Sequence, residues 1–247
     1  MDIPRTPAGA GDDPVLDDPG LDDPGLDDPV GESLRGHQAR WSEACGRARR
    51  FDPAVASMVS VPREPTGADW ADLARLLGPG GLADLFSSPV TPPAGWEAAF
   101  VMEGVQMVGT ATSYGDHGAD VVELGIADVP ELLDFAGRAG PGWFWPRTLE
   151  LGRYVGVRDQ GRLVAMAGER LRPPGWREIS GVGTDPQARG RGHATRLVAA
   201  LAAGILARGE RPFLHVAADN TTAIALYERL GFVVRRPVTF RGFRVPG

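Results

Sequence analysis

A glycine-rich segment late in the chain carries the residues best suited to chemistry. It spans residues 187–194, reads Gln-Ala-Arg-Gly-Arg-Gly-His-Ala, and lies between a predicted strand and a predicted long helix. Two glycines let the backbone turn tightly, and the first N–H groups of a helix have no partner within that helix. The helix dipole adds positive potential at the same point. The segment therefore predicts a pyrophosphate site, with Arg189 and Arg191 adding charge at its rim.

Three kinds of phosphate-binding loop compete for this segment. A P-loop requires Gly-Lys-Ser/Thr after its spacer, and this sequence does not have it. A dinucleotide fingerprint requires a third small residue where Thr195 stands and an acid about 20 residues further on. The nearest acid of that kind, Asp219, lies 27 residues after Gly192. The acyl-CoA loop, Gln-x-x-Gly-x-Gly/Ala, fits in full.

A second signature lies downstream, at residues 220–232. It reads Asn-Thr-Thr-Ala-Ile-Ala-Leu-Tyr-Glu-Arg-Leu-Gly-Phe and matches the pattern Asn-x-x-Ala-x-x-Leu-Tyr-x-x-x-Gly-Phe. Either signature alone is a weak indication, but the pair at this separation is specific. With both signatures and the order of predicted strands and helices, residues 120–247 resemble the GNAT superfamily of acetyl-CoA-dependent N-acetyltransferases. The resemblance covers about half of the chain.

The resemblance implies a fold and a place for a cofactor. The implied fold class is α/β (α+β), with a mixed, mostly antiparallel sheet flanked by helices. Acetyl-CoA is the implied co-substrate, in a splay between the strand that ends near Val182 and the strand at residues 213–217. Free backbone groups there would pair with the pantetheine arm as an added strand does. The implied cofactor-binding residues are Val182, Gly183, Thr184, Arg189, Gly190, Arg191, Gly192, His193, Ala194, Thr195, Asn220 and Tyr227.

Acetyl transfer assigns chemical roles around this site. An amine is mostly protonated at neutral pH and must lose a proton before it attacks the thioester directly, in a ternary complex. The resemblance places Tyr227 beside the thioester, where its hydroxyl can protonate the leaving thiolate, and makes the N–H of Val182 the donor to the carbonyl oxygen. Glu178 precedes Val182 by four residues on the same predicted strand, so we expect both to face one side. Glu178 is therefore the candidate base, directly or through water.

Simpler interpretations of these residues stay open. Tyr227 could pack under its helix, Glu178 could be a solvated strand residue, and Asn220 could cap the helix that begins at Thr221. A capping role and a cofactor contact of Asn220 are compatible. The apolar neighbours of His215 favour a core or cleft position over metal binding.

The two sequence motifs concern the cofactor and do not identify the acceptor. We expect the loops at residues 140–151 and 170–176 to select it, with Trp143, Phe144 and Trp145 in the core or the cleft wall. A small-molecule amine and a protein or peptide amine both stay open. An alternative of another class is a non-catalytic acyl-CoA-binding sensor or interaction module, although retention of Tyr227 and of the full glycine loop argues against it.

Composition divides the chain into three predicted parts. Residues 1–32 repeat Leu-Asp-Asp-Pro-Gly and contribute −9 to a net charge of −6. The single apolar residue in each unit buries too little surface to offset the conformational entropy that is lost when the segment becomes ordered. This acidic tail is therefore predicted to be disordered. Residues 33–119 are predicted to form an N-terminal α/β lobe, with a helix over residues 34–48 and a hairpin around residues 103–104. A degenerate copy of the same fold is the alternative for this lobe. Residues 120–247 are the predicted N-acetyltransferase domain.

Charge and composition argue against other functions. Beyond residue 32 the chain carries a charge of only +3, too little to indicate a nucleic-acid partner. No apolar run approaches the roughly 18 residues that span a bilayer, so no membrane partner is expected. His37 and His117 have no partners at ligand spacing, and no metal is predicted. Cys45 is the only cysteine, which indicates a reducing cytoplasm. The oligomeric state is left open.

Overall fold

The computed structural model of the protein describes residues 21–115, 118, 120–139 and 144–247. The expectations for residues 1–20, His117 and Trp143 lie outside the described residues. In chain order the helices and strands are α1 (Pro29–Arg35), β1 (Ser42–Cys45), β2 (Ala48–Phe51), β3 (Val59–Ser60), α2 (Gly67–Leu77), β4 (Leu82–Leu85), β5 (Glu97–Gly109), β6 (Val121–Leu124), α3 (Val129–Ala139), β7 (Tyr154–Asp159), β8 (Arg162–Glu169), β9 (Trp176–Thr184), α4 (His193–Ala207), β10 (Arg211–Ala217), α5 (Thr221–Arg229) and β11 (Phe232–Arg244).

Eight strands form one sheet in the order β4-β11-β5-β10-β9-β8-β7-β6. Every neighbouring pair is antiparallel except β9 and β10, which are parallel. The β9–β10 pairing ends at Ile179 opposite Leu214, although both strands continue beyond it. The predicted fold class is thus confirmed, and the two strands splay apart at their carboxyl ends.

Helix α4 covers one face of this sheet. Its apolar residues recur at the three- and four-residue spacing of a helix face, and Leu197, Leu201 and Ile205 are fully buried. They belong to one core with sheet residues such as Val155 and Leu214 and with helix α5. This packing anchors the amino terminus of α4 beside the splay. No helix within the described ranges is long and apolar enough to cross a membrane.

Residues 21–32 pack against the protein, so the prediction of a disordered tail is wrong for this part of the repeat. Asp23 and Asp28 each accept a hydrogen bond from a backbone N–H two or three residues on, and each precedes a proline that opens a helical turn. Leu26 is fully buried and Val30 almost so. The two units at residues 21–25 and 26–30 therefore each supply a cap and a helix start, and the surface on which they pack buries their apolar residues.

Two further predictions for the N-terminal part are wrong. The predicted helix over residues 34–48 ends at Arg35 and is followed by a β1–β2–β3 sheet. The predicted hairpin at residues 103–104 is one continuous strand, β5, which lies between β10 and β11. Gly104 serves close packing there, since a Cβ would lie 2.4 Å from the Phe240 ring. The main sheet consequently continues across the predicted boundary between residues 119 and 120.

Candidate active site

Two cavities meet where β9 and β10 splay apart. The first, called the groove, measures about 600 Å³ and is lined by the glycine loop, the start of α4 and one side of α5. The second, called the pocket, measures about 550 Å³ and is lined by residues 179–182, 215–217 and side chains of the N-terminal part. Val182, Asn220 and Tyr227 line both. A ligand that fills the groove can therefore present its end to a second ligand in the pocket.

The sequence-predicted cofactor residues converge on the groove. Each of them except Arg191 lines it. Arg191 is exposed, and its guanidinium lies 3.3 Å from the Asp159 carboxylate. The prediction missed the wall formed by α5, which includes Thr222, Leu226 and Arg229. The spacing of these residues, at four and three, marks one helix face and could have indicated it.

The amino terminus of α4 opens into the groove. Gly190 and Gly192 have φ values of 78° and 75°, the left-handed region that favours glycine. Gly192 is the N-cap residue and provides no side-chain cap, so the first N–H groups of α4 have no intrahelical partner. A Cβ at Gly190 would meet nothing within 4 Å, so its glycine is required by backbone conformation rather than by crowding. The backbone therefore curves into an uncapped helix start, where the electrostatic potential is positive.

His193 occupies the first turn of this helix. Its Nδ1 lies 2.8 Å from the Arg196 guanidinium, which in turn pairs with Asp120 at 2.9 Å. Burial, followed by the charge of Arg196, lowers the pKa of His193 below its ordinary value. The ring is therefore neutral at pH 7, and the positive charge at this position comes from Arg196.

Tyr227 and Asn220 lie where the groove and the pocket meet. The Tyr227 ring is 7% exposed and packs edge-on against Phe232. Burial raises its pKa to about 12, so the hydroxyl carries its proton at neutral pH and can donate it. Asn220 accepts a hydrogen bond from the N–H of Ala223 at 3.2 Å and thereby caps α5. The cap holds the Asn220 side chain at the junction.

Glu178 is fully buried and held by charged and polar neighbours. Both of its oxygens accept hydrogen bonds of 2.7 Å from the Arg170 guanidinium, and one also lies 2.7 Å from His215 Nδ1. Burial opposes ionisation, but Arg170 and His215 outweigh it and hold the Glu178 pKa at about 2. His215 is buried too, and burial lowers its pKa despite the adjacent carboxylate. The group is thus an ionised Glu–Arg pair beside a neutral histidine.

The expectation that Glu178 and Val182 share a face is wrong. Between them Gly181 has a φ of 62°, and two residues of β9 bulge against one of β8. A bulge shifts the alternation of side chains by one residue. Ile179 and Val182 accordingly pack against the same core with α4, whereas Glu178 lies on the opposite face with His215.

The pocket takes much of its wall from the N-terminal part, which the sequence did not indicate. Ser57, Asp84, Phe86 and Phe100 line it together with predicted cleft residues such as Trp145. Phe144 packs nearby against the Tyr154 ring. Strands β4 and β5 bring the N-terminal residues to the site through their pairing with β11. No local sequence pattern predicts that pairing. Within the described ranges, no group of three or more His, Cys, Asp or Glu side chains is arranged to hold a metal ion.

Comparison with known proteins places this geometry in a family. A family model described as FR47-like protein matches residues 154–240. N-alpha-acetyltransferase RimI of Mycobacterium tuberculosis is 42% identical over 97 residues, which cover 38% of this chain and 60% of that protein. Mycothiol acetyltransferase of Kocuria rhizophila is 36% identical over 107 residues, which cover 41% of this chain and 35% of that protein. The chain thus spans less than two thirds of the length of either relative.

Solved structures match nearly the whole chain. A crystal structure from Novosphingobium aromaticivorans, described as an acetyltransferase from the GNAT family, is 42% identical with a TM-score of 0.82. The match covers 90% of this chain and 98% of that one. A GCN5-related N-acetyltransferase from Kribbella flavida, at 17% identity and a TM-score of 0.59, shares the fold over 90% of this chain and 96% of its own. The identity, the coverage and the two signatures agree: the chain belongs to the GNAT family of acetyltransferases.

Proposed function

We propose that the protein is an N-acetyltransferase that transfers the acetyl group of acetyl-CoA to an amine by direct attack in a ternary complex. The observation that carries the proposal is the junction of the groove with the pocket at Val182, Asn220 and Tyr227. A thioester that arrives through the groove can meet an amine that enters through the pocket. No covalent intermediate on the protein is needed, because both substrates reach one point.

The groove suits the extended, anionic part of acetyl-CoA. The uncapped start of α4 offers N–H groups to the pyrophosphate, and Arg189 adds positive charge beside it. The pantetheine arm would lie along Val182–Thr184, where β9 has left its parallel partner β10. Bound in this way, the cofactor directs its thioester toward Tyr227.

At the junction, the proposal assigns the leaving group to Tyr227 and the developing oxyanion to a backbone donor. The Tyr227 hydroxyl protonates the CoA thiolate, since its raised pKa keeps it protonated until the thiolate forms. The N–H of Val182 donates to the carbonyl oxygen as negative charge builds on it. Neither group needs to move far, because both line the two cavities.

Glu178 enters the proposal as a positioning residue. Its oxygens are occupied by Arg170 and His215, it is fully buried, and its pKa of about 2 makes it a weak proton acceptor. It orients the Arg170 guanidinium and the His215 ring at the wall of the pocket. The proton of the amine then leaves through water. The single cysteine, Cys45, supports a cytoplasmic setting.

Binding and turnover measurements test this function. Acetyl-CoA should bind the purified protein in calorimetry, and thiol release should appear with at least one member of a panel of small amines and alanine-terminated peptides. All 26 Lys and Arg residues are arginines, so acetylation of the protein itself is confined to its amino terminus and background is low. Absence of binding at millimolar acetyl-CoA would end the proposal. Tight binding without turnover on the panel would favour the non-catalytic sensor.

A further inference from the structure

The pocket contains a buried carboxylate, Asp84, that forms no ion pair with any described residue. Asp84 is 6% exposed, and the Ser57 hydroxyl donates a hydrogen bond to its carboxylate at 2.5 Å. Within the described part of the chain, no ion pair reaches the Asp84 carboxylate. A buried ionised group is costly unless it is paired. Burial accordingly raises the pKa of Asp84 above its ordinary value.

The other charged groups of the pocket compensate Asp84 only in part: the charge of Arg170 lowers the pKa of this carboxyl, but burial outweighs it. The Arg170 guanidinium makes a two-pronged ion pair with Glu178 and also covers the Phe86 ring at 4.3 Å. His215 is neutral, because burial lowers its pKa. With Arg170 balanced by Glu178, an ionised Asp84 leaves the wall with one net negative charge. A cationic ligand would neutralise this net negative charge.

The remaining wall is apolar and partly aromatic. Phe86 and Phe240 stack with their ring centres 4.8 Å apart, and Met58, Met102 and Phe100 also face the cavity. Such a surface packs well against methylene groups, and aromatic faces attract cations. The ligand suited to this wall is therefore a cation on an apolar chain.

Asp84 lies far from the acetyl-transfer junction. Its strand, β4, is separated from β10 by β11 and β5, which makes three strand-to-strand steps. At about 4.8 Å a step, the backbone of Asp84 is roughly 14 Å from β10. From this backbone separation we infer that one nitrogen does not both contact Asp84 and attack a thioester at Tyr227. The cation at Asp84 must be a second charged group of the acceptor.

We propose that the acceptor is a small dicationic amine: a primary amine at one end reacts at the Tyr227 junction, and a second ammonium group at the end of an apolar spacer binds Asp84. This inference rests on the proposed N-acetyltransferase function. The distance from the Tyr227 junction to the Asp84 carboxylate selects the length of the acceptor. The spacer packs against Phe86, Phe240 and Met58. An alkylamine of equal length, with one charge, lacks the group that Asp84 binds.

The test compares 1,8-diaminooctane with octylamine, which share a chain length and differ in the second ammonium. Calorimetry on the CoA-loaded protein should show about 10- to 100-fold tighter binding of the diamine, the range for a charged hydrogen bond in a buried site. The ratio of kcat/KM values should follow. Asp84→Asn should bring the two affinities together, whereas Glu97→Gln, an exposed carboxylate change on β5, should leave the preference intact.

Equal binding of the two amines by the unmodified protein would overturn the inference, and so would a preference that survives Asp84→Asn. A better fit of an alanine-terminated peptide than of either amine would overturn it as well. None of these results would contradict the proposed function, provided that acetyl-CoA binds and an amine is acetylated. Unchanged acetyl-CoA affinity and melting temperature would show that Asp84→Asn is folded, and the comparison in the unmodified protein does not depend on that variant.

Discussion

Tyr227 is the residue on which the proposed chemistry depends most. Replacing it with Phe removes the hydroxyl and keeps the ring packing against Phe232. We expect turnover to fall by roughly 10²- to 10⁴-fold, the usual contribution of a general acid, with little change in acetyl-CoA affinity. Steady-state kinetics and calorimetry on the same preparation measure both quantities.

A second tyrosine provides the matched control. Tyr114 is also buried and also contacts the Phe232 ring, but it does not line the groove or the pocket. Tyr114→Phe should leave turnover within about twofold of the unmodified protein, since no reacting group is removed. Equal losses in the two variants would mean that Tyr227 acts through packing alone.

The buried Glu178, Arg170 and His215 predict how stability depends on pH. The folded pKa values of His215 and Glu178 both lie below their ordinary values, so the unfolded chain binds more protons in acid. The stabilisation from His215 is complete above about pH 6.5 and declines as the pH falls below that value. The stabilisation from Glu178, on the order of 3 kcal/mol, is complete above about pH 5 and is lost toward pH 2.

Melting temperature as a function of pH measures this effect. His215→Asn keeps a hydrogen-bond donor for Glu178 but cannot titrate, so the decline just below pH 6.5 should become shallower. The further decline below pH 5 should persist, because Glu178 is still present. Asp84→Asn removes a carboxyl whose raised pKa acts in the opposite direction. In that background, a melting temperature that rises between pH 7 and pH 5 would contradict the assignment of a neutral, buried His215.

Predictability at the residue scale follows the range of the interactions. The glycine loop and Tyr227 could be placed at the groove because they belong to sequence signatures with short, fixed spacings. Asp84 and Ser57 could not, because they reach the pocket through pairing between strands distant in sequence. The face of β9 on which Glu178 lies was mispredicted, because a bulge at Gly181 shifts the alternation of side chains between Glu178 and Val182.

At the scale of elements, the start of α4 should decide cofactor binding. Gly190→Val places a β-branched residue at a φ of 78°, a conformation that costs about 1–3 kcal/mol, and crowds the backbone facing the groove. Acetyl-CoA affinity should fall by about 10-fold or more in calorimetry. At saturating acetyl-CoA, the variant should turn over at a rate similar to that of the unmodified protein, since no reacting group changes.

Gly209→Val separates backbone strain from cofactor contact. Gly209 has a φ of 74° and lies just beyond the other end of α4, outside the groove. Both variants should lose similar stability, but only Gly190→Val should lose affinity for acetyl-CoA. A comparable loss of affinity in both would indicate general destabilisation of α4 rather than a phosphate site at its start.

Elements of the second half were readable for a physical reason. Most strands and helices after residue 120 begin or end at a glycine or proline turn, so local patterns indicate them. Strand β5 was misjudged because Gly104, read as a turn, instead gives the Phe240 ring room to pack. A glycine in a strand looks the same in sequence whether it turns the chain or admits a neighbour.

On the scale of the whole molecule, the packed repeat joins the N-terminal part to the acetyltransferase sheet. Arg235 of β11 binds the Asp27 carboxylate at 2.9 Å, and the Trp176 indole donates to Asp23 at 2.8 Å. Removal of residues 1–32 deletes these contacts and exposes the surface that Leu26 and Val30 cover. Burial of the two side chains contributes about 1.5–3 kcal/mol each, so the melting temperature should drop by on the order of 10 °C.

Removal of residues 1–20 alone is the companion variant, because it keeps both buried side chains and the Asp23 and Asp27 contacts. Scanning calorimetry should place its melting temperature within about 2 °C of the full chain. Similar melting temperatures for the two truncations would mean that residues 21–32 contribute nothing to stability, contrary to their burial.

Molecular organisation was the hardest level to predict. The second half was recognisable because its two signatures lie within one continuous stretch of sequence. The N-terminal part was not, because its strands β4 and β5 pair with β10 and β11, which begin more than 100 residues later in the chain. Its place in the wall of the pocket emerges only from that pairing, and so does the proposed basis for acceptor choice.

A crystal structure of the protein with acetyl-CoA tests the central claim most directly, because the claim is about where two substrates meet. We expect the pyrophosphate at the N–H groups that open α4, the pantetheine along Val182–Thr184, and the sulfur within hydrogen-bond reach of the Tyr227 hydroxyl. The acetyl group should point into the pocket. A thioester that lies away from Tyr227, or a pyrophosphate bound anywhere other than the start of α4, would contradict this account.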